Sequence, residues 1–123
     1  MIKHEFKIKE IHNKNKTKVR KRITVTFEEN GYELLGVFLT SEIKNFYDEI
    51  VPVIEAVSDG RNENEEEFTG NRCRLKVGAE NAFLTDENDE DELPPVEIPT
   101  QDLLEMIREW KMEKDRIKDR NKG

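Results

Sequence analysis

The chain has 123 residues, of which 40% are charged and 34% hydrophobic, and it carries a formal net charge of −7. This length favours one domain around one hydrophobic core. A single cysteine excludes an internal disulfide and a cysteine-based zinc site. No apolar run has the length of a membrane span and none resembles a signal peptide, so a cytoplasmic location without a membrane partner is expected.

The charges are segregated along the chain. Residues 1–22 contain nine Lys or Arg against two Glu, a net of +7. Residues 23–102 contain 21 acids against five cations, a net of −16, and residues 103–123 have a net of +2. An acidic body repels the phosphates of nucleic acid and attracts a basic protein. We therefore expect a basic protein partner and no nucleic acid.

The first third of the sequence predicts strands. Polar and apolar residues largely alternate in residues 5–11 and again in residues 19–27, where β-branched side chains dominate. Residues 12–18 are polar and are predicted to form a flexible linker or turn. Asn30-Gly31 is typical of a tight hairpin turn, and the apolar residues 32–38 after it predict a third, central strand.

A helix is predicted to follow, with Thr40 or Ser41 as its N-cap. Pro52 lies inside the helical pattern and is expected to kink the helix or to split it after Ile50 or Val51. The apolar residues at helical spacing, which we expect to face the core, are Ile43, Phe46 or Tyr47, Ile50, Ile54 and Val57.

Residues 68–77 predict one strand, which a turn at residues 78–81 joins to residues 82–85 in a hairpin. Residues 96–98 predict a short extended segment between prolines. Thr100 is predicted to cap the last helix, and residues 119–123 are expected to fray. The apolar stripe of this helix consists of Leu103, Leu104, Ile107, Trp110 and Ile117.

The order β-β-β-α-β-β-α predicts a single α+β domain over residues 1–123. Separate antiparallel hairpins and helices favour an antiparallel sheet of about five strands, with two helices packed on one face.

Residues 86–92 carry six carboxylates in seven positions, and we predict a solvated acidic loop over residues 86–95. A second acidic segment precedes residue 68. Because the far ends of an antiparallel hairpin meet, both segments should lie at one end of the sheet and form one anionic patch. The predicted partner-binding residues are Glu63, Glu65, Glu66, Glu67, Asp86, Glu87, Asp89, Glu90, Asp91 and Glu92.

Phe68 and Phe83 are candidate aromatic anchors beside this patch, and a place in the core is an equally good interpretation. The cations of the N-terminal region, Lys14 to Arg22, could contact phosphates. They lack the interleaved aromatic residues of single-strand binders, so a solubilising surface is favoured.

The sequence contains an incomplete calcium-loop pattern and no catalytic motif. Asp86, Asn88 and Glu90 alternate like calcium ligands, but Asp91 stands where the calcium loop needs glycine. No metal or other cofactor is therefore expected. Cys73 lies on the apolar face of its strand, and His4 and His12 fall near segments expected to be mobile. We predict a core role for Cys73 and no enzymatic activity.

Residues 94–110, with Pro99-Thr100 at the helix start and Trp110 in the helix, resemble the C-terminal end of small bacterial immunity proteins. That group includes the partners of contact-dependent inhibition toxins and of wall-associated and other polymorphic toxins. The resemblance implies a cytoplasmic protein that binds and blocks one toxin domain, often a nuclease. It carries over no binding residues, because these proteins vary most where they contact the toxin.

The leading hypothesis is therefore an immunity protein, a monomer or weak dimer. Its acidic residues would occlude the active site or the basic substrate groove of a toxin nuclease. The alternative is a regulatory or adaptor domain that binds another protein or RNA through the basic N-terminal region.

Overall fold

The computed structural model describes residues 3–12, 19–62, 64–88 and 92–122. Strands β1 (His4–His12) and β2 (Val19–Phe27) pair antiparallel, from His4 opposite Phe27 to His12 opposite Val19. Both strands predicted here are confirmed. Of the predicted linker at residues 12–18, His12 ends β1 and the rest lies outside the described residues.

The prediction of a third strand is wrong, because most of residues 32–38 form the start of a helical segment. Helix α1 (Glu33–Val37) runs into a π-helical turn (Phe38–Glu42) and then into helix α2 (Ile43–Ser58). Leu34, Leu35, Phe38 and Leu39 are fully buried and follow the helical spacing i, i+1, i+4, i+5, which gives α1 one apolar face. Gly31 has φ +98°, so the chain does turn there, but into a helix and not into a hairpin.

Thr40 and Ser41 lie inside this helical segment and are not its N-cap. Their hydroxyl groups donate to the carbonyl oxygens of Gly36 at 2.8 Å and Val37 at 2.7 Å, four residues earlier. The predicted cap therefore marks the π-helical turn and not the start of a helix.

Helix α2 passes through Pro52 without the predicted break after Ile50 or Val51. Its non-helical residue is Phe46, with φ −126° and ψ 17°, shortly after the π-helical turn ends. Pro52 has no N–H, so the carbonyl oxygen of Asp48, four residues earlier, lacks its helical donor. Asp48 and Pro52 are both exposed, so water can donate a hydrogen bond to this oxygen instead. The predicted core face of this helix is confirmed for Ile43, Ile50, Ile54 and Val57.

The second sheet has four antiparallel strands in the order β3-β4-β5-β6. These are β3 (Glu66–Thr69), β4 (Cys73–Val77), β5 (Asn81–Asp86) and β6 (Val96–Pro99). The single strand predicted for residues 68–77 is thus two strands, separated by a turn at residues 70–72. The buried face of the sheet consists of Cys73, Leu75, Val77, Ala82, Leu84, Val96 and Ile98.

Helix α3 (Thr100–Lys122) closes the core and extends into the tail that was expected to fray. The predicted apolar stripe is confirmed, since Leu103, Leu104, Ile107, Trp110 and Ile117 are all buried. Thr100 is fully buried, and its hydroxyl group donates to the carbonyl oxygen of Gly78 at 2.7 Å. This bond ties the start of α3 to the turn between β4 and β5.

The α+β class predicted from the sequence is confirmed. The arrangement differs from one five-stranded sheet, because the described residues form two sheets and the helices α1 and α3 contact both of them. The described residues of the basic N-terminal region lie in or next to the two strands of the β1–β2 hairpin. Residues 62–99, which contain the four-stranded sheet, hold twelve acids against three cations. No helix within the described ranges is both long and apolar enough to cross a membrane.

Candidate functional site

Asp86 ends β5 and forms the base of the acidic loop (residues 86–95). Its side chain is fully buried, and its carboxylate accepts two hydrogen bonds from Arg72, from Nε and Nη2, both at 3.1 Å. Two backbone N–H groups of the loop also donate to it, from Asn88 at 3.0 Å and from Leu93 at 2.8 Å. The N–H of Glu87 donates to the carbonyl oxygen of Arg72 at 2.8 Å.

These bonds anchor both ends of the acidic loop to the sheet. The Arg72 guanidinium, followed by the Leu93 N–H, holds the pKa of Asp86 well below its usual range. Asp86 therefore stays ionised, and its carboxylate holds the loop through the hydrogen bonds from Asn88 and Leu93. This corrects its predicted role, since a buried carboxylate with these partners does not lie on a partner-binding surface.

Glu42, at the end of the π-helical turn, anchors the neighbouring turn at residues 70–72. Its carboxylate is only 2% exposed and accepts hydrogen bonds from the N–H groups of Asn71 at 3.1 Å, Arg72 at 2.7 Å and Cys73 at 3.3 Å. A Cβ atom on Gly70 would lie 1.9 Å from Glu42 Oε2, so the close approach requires glycine. Three donors satisfy a carboxylate that would otherwise be costly to bury.

Sequence reasoning missed both Glu42 and Arg72. A signal was present in the dipeptide Gly70-Asn71, which is typical of a turn and interrupts the strand pattern. Reading residues 68–77 as one strand hid that turn. Glu42 and Arg72 are 30 positions apart in the chain, and Arg72 and Asp86 are 14 apart. No local sequence pattern reveals contacts over such separations.

The two acidic segments do not form one patch. Glu66 lies opposite Val77, at the end of the sheet where β4 turns into β5, whereas Asp86 lies opposite Cys73 at the other end. The turn at residues 70–72 reverses the chain once more than predicted. Because each reversal exchanges the ends of an antiparallel sheet, the segment before β3 is moved away from the acidic loop.

Glu67 is the exception, because Arg74 connects it to the acidic loop, although the register places Glu67 opposite Lys76 and next to Glu66. It lies on the outer face of β3, where its carboxylate forms an ion pair with Nε of Arg74. Glu87 approaches the same nitrogen at 3.9 Å. Arg74 therefore joins one carboxylate from each acidic segment, and all three side chains remain partly exposed to solvent.

The remaining predicted partner-binding residues are dispersed. Glu65 and Glu92 are exposed, while Glu66 is half-buried and accepts a hydrogen bond from Asn62 Nδ2 at 2.7 Å. Four further residues lie outside the described residues, and these are Glu63, Asp89, Glu90 and Asp91.

The two candidate aromatic anchors lie on opposite faces of the sheet. Phe68 packs against the core, with its ring centroid 5.2 Å from that of Phe46. Phe83 lies on the outer face and is 43% exposed. In the register of the sheet, Lys76 and Glu97 flank Phe83 on either side. Phe83 is thus available to a partner and Phe68 is not.

Cys73 is buried in the core, as predicted. Burial raises the pKa of its thiol to about 12, and the Glu42 and Asp86 carboxylates act in the same direction. Such a thiol is a poor nucleophile. The His4 side chain is 6% exposed, and its Nε2 lies 2.9 Å from Glu109 Oε2.

The Asp86 carboxylate is not free to bind calcium, since N–H donors and Arg72 already occupy its oxygens. Within the described part of the chain, no three or more His, Cys, Asp or Glu side chains come together in a way that would hold a metal ion.

No family of related sequences, no curated protein and no solved structure matches this chain. The site is therefore interpreted from its own geometry and charge.

Proposed function

We propose that this protein is an immunity protein that binds a cognate bacterial toxin domain, a basic nuclease, and blocks its substrate groove. The observation that supports the proposal is the anchoring of the acidic loop through Asp86. A loop whose two ends are already held by the sheet loses less conformational freedom on binding than a free loop.

The charge of this part of the molecule suits a basic partner. Glu87 and Glu92 are exposed beside the anchor, and the sequence adds three acids between residues 89 and 91. Carboxylates presented in this way attract the Lys and Arg side chains that hold phosphates in a nuclease groove. The acidic side chains would take the positions of those phosphates and exclude the nucleic acid.

The contact surface that we propose is smaller than the one expected from the sequence. It consists of Glu87 and Glu92 of the acidic loop together with Glu67, which Arg74 joins to Glu87. Phe83 on the same outer face would supply the apolar contact, because exposed aromatic side chains are frequent anchors of interfaces.

The test is to co-express the protein with the product of the gene immediately upstream and to measure association of the purified pair by stopped flow over a salt series. We expect Glu87→Gln with Glu92→Gln to slow association and to weaken its dependence on salt. The matched control is Glu65→Gln with Glu80→Gln, which removes the same charge at the opposite end of the sheet and should leave the rate nearly unchanged.

Equal slowing by both double variants would contradict the proposed surface and leave only an effect of net charge. A complex that forms but does not reduce the nuclease activity of the partner would contradict the inhibitory function itself. Absence of any complex with the upstream gene product would also count against the proposal.

A further inference from the structure

The β1–β2 hairpin has two faces that differ in charge. Side chains alternate between the faces of a strand, so Phe6, Ile23 and Val25 point towards the core while Lys7, Lys9 and Arg22 lie on the opposite, outer face. We call this outer face the cationic face.

The cationic face places like charges directly opposite each other. Lys9 pairs with Arg22 across the two strands, whereas on the other face Glu10 pairs with Lys21. Like charges at such positions destabilise a strand pair, and opposite charges stabilise it. The hairpin therefore pairs opposite charges on the face that points towards the core and like charges on the cationic face.

The three cations of this face, Lys7, Lys9 and Arg22, are exposed. None of them has a carboxylate within 4 Å among the described side chains. The acid on the same face is Glu5, which is exposed, lies nearer the core and pairs with Thr26. An anion from outside the chain would supply the neutralisation that the fold does not.

The distal half of the hairpin stands clear of the core. Lys9, Glu10, Lys21 and Arg22 are all exposed although they lie on both faces, and Ile8 is 37% exposed on the face that points towards the core. Lys9, Glu10, Lys21 and Arg22 thus belong to a two-stranded ribbon that projects from the core. A ribbon of this kind can enter a groove without bringing the acidic four-stranded sheet into contact with the same ligand.

We propose that the cationic face binds the phosphate backbone of a double-stranded nucleic acid, a function beyond the proposed inhibition of a toxin. The major groove of B-form DNA, about 12 Å wide, admits a two-stranded β-ribbon. Lys and Arg contacts to phosphates provide affinity independent of base sequence. The deep, narrow major groove of an RNA duplex excludes side chains, so DNA is the better ligand.

The experiment measures fluorescence anisotropy of a labelled 16-base-pair DNA duplex, and of the RNA duplex of the same sequence, with the full chain over a range of salt concentrations. We expect binding that weakens with salt and favours DNA. Lys9→Gln with Arg22→Gln should make the negative slope of log K against log salt shallower by about 1.8, because each phosphate contact contributes about −0.9.

The matched control is Lys44→Gln with Lys76→Gln, which removes two exposed cations elsewhere and should leave the slope unchanged. Circular dichroism on both double variants verifies that they remain folded. Since Glu87 and Glu92 lie outside this face, failure of toxin binding and failure of duplex binding are separate results.

Four outcomes would overturn the proposal. The first is no duplex binding at 50 mM salt, where phosphate contacts are strong. The second is an equal loss of slope in both double variants, which would indicate net charge alone. The third is displacement of the duplex by poly-glutamate of equal charge as effectively as by unlabelled duplex, which would indicate a face for acidic proteins. The fourth is tighter binding of RNA than of DNA, which would exclude the major-groove arrangement.

Discussion

Arg72 and Asp86 form a two-bond ion pair beneath the acidic loop, with Nε and Nη2 of Arg72 each 3.1 Å from a different carboxylate oxygen. Arg72 comes from the turn before β4 and Asp86 from the end of β5. The turn itself is held by the Glu42 carboxylate through three backbone N–H groups. Two buried carboxylates thus connect the helical segment, the turn and the acidic loop.

Replacing Asp86 by Asn should loosen the acidic loop. The Asn side chain keeps one acceptor oxygen but turns an amide N–H₂ towards groups that are themselves donors, Arg72 and the Leu93 N–H. We expect faster proteolytic cleavage within residues 87–93 and a lower urea midpoint of unfolding. Glu97→Gln, which removes one exposed charge from the outer face, is the control and should change neither. Unchanged cleavage in the Asn variant would show that Asp86 does not anchor the loop.

The same ion pair predicts a loss of stability in acid. The pKa of Asp86 is lower in the folded chain than its ordinary value of 3.8. Its contribution to the free energy of unfolding is therefore complete above about pH 4 and declines as the pH falls further towards the folded pKa. Urea unfolding at pH 7, 4, 3 and 2 should show the difference between the wild type and Asp86→Asn shrinking below pH 4. A difference that stays constant over this range would contradict the assignment.

Gly70 and Gly36 provide a matched pair of alanine substitutions. A Cβ atom at Gly70 would meet Glu42 Oε2 at 1.9 Å and displace the buried carboxylate from its donors. We expect Gly70→Ala to lower the free energy of unfolding by about 1–3 kcal/mol, the usual effect of leaving buried polar groups unpaired. At Gly36 in α1 the nearest atoms are 3.6 Å away, so Gly36→Ala should be neutral or stabilise by up to about 1 kcal/mol. Equal effects in chemical denaturation would argue against the Glu42 anchor.

Cys73 should react only when the chain opens. Its burial and its raised pKa of about 12 keep the thiol protonated and out of contact with solvent. A thiol reagent at pH 8 should label the native protein slowly, with a rate that rises with urea along with unfolding. Because the folded pKa exceeds the ordinary value of 9.0, the stability contributed by the protonated thiol declines as the pH rises above about 9. Rapid labelling of the native protein would contradict this placement.

Leu84 and Phe83 are neighbours on opposite faces of β5. Leu84 is fully buried and Phe83 is 43% exposed. Leu84→Ala should lower the free energy of unfolding by about 2–5 kcal/mol through the cavity that it leaves. Phe83→Ala should change stability much less, and it should weaken toxin binding if Phe83 is the anchor of the proposed surface. Similar losses of stability, measured by urea denaturation, would mean that the two faces of the sheet are assigned incorrectly.

The sequence was sufficient wherever one periodicity extended over a whole element. Alternation in residues 19–27 predicted β2, and the spacing of Leu103, Ile107 and Trp110 predicted the buried face of α3. It was insufficient for residues 32–38, because a short and nearly continuous apolar run fits a buried strand as well as a buried helix. The burial of Leu34, Leu35 and Phe38 against several elements decided in favour of the helix.

At the candidate site, too, some features follow from the sequence and others only from the tertiary structure. Composition alone established that the acids concentrate in the middle of the chain and the cations near its start. Which carboxylates lie near the acidic loop depended on a single turn at residues 70–72, because one reversal of the chain moved Glu65 and Glu66 to the far end of the sheet. Asp86 then changed from a surface charge to a buried anchor, since its partners Arg72 and Leu93 are brought to it only by the pairing of the strands.

The sequence by itself thus determined the α+β class, the main apolar faces and the segregation of charge, since each follows from local periodicity or from composition. Only the tertiary structure decided which charges are buried, which are paired and which lie together. Those relations depend on contacts between residues far apart in the chain, and the register of the strands sets them.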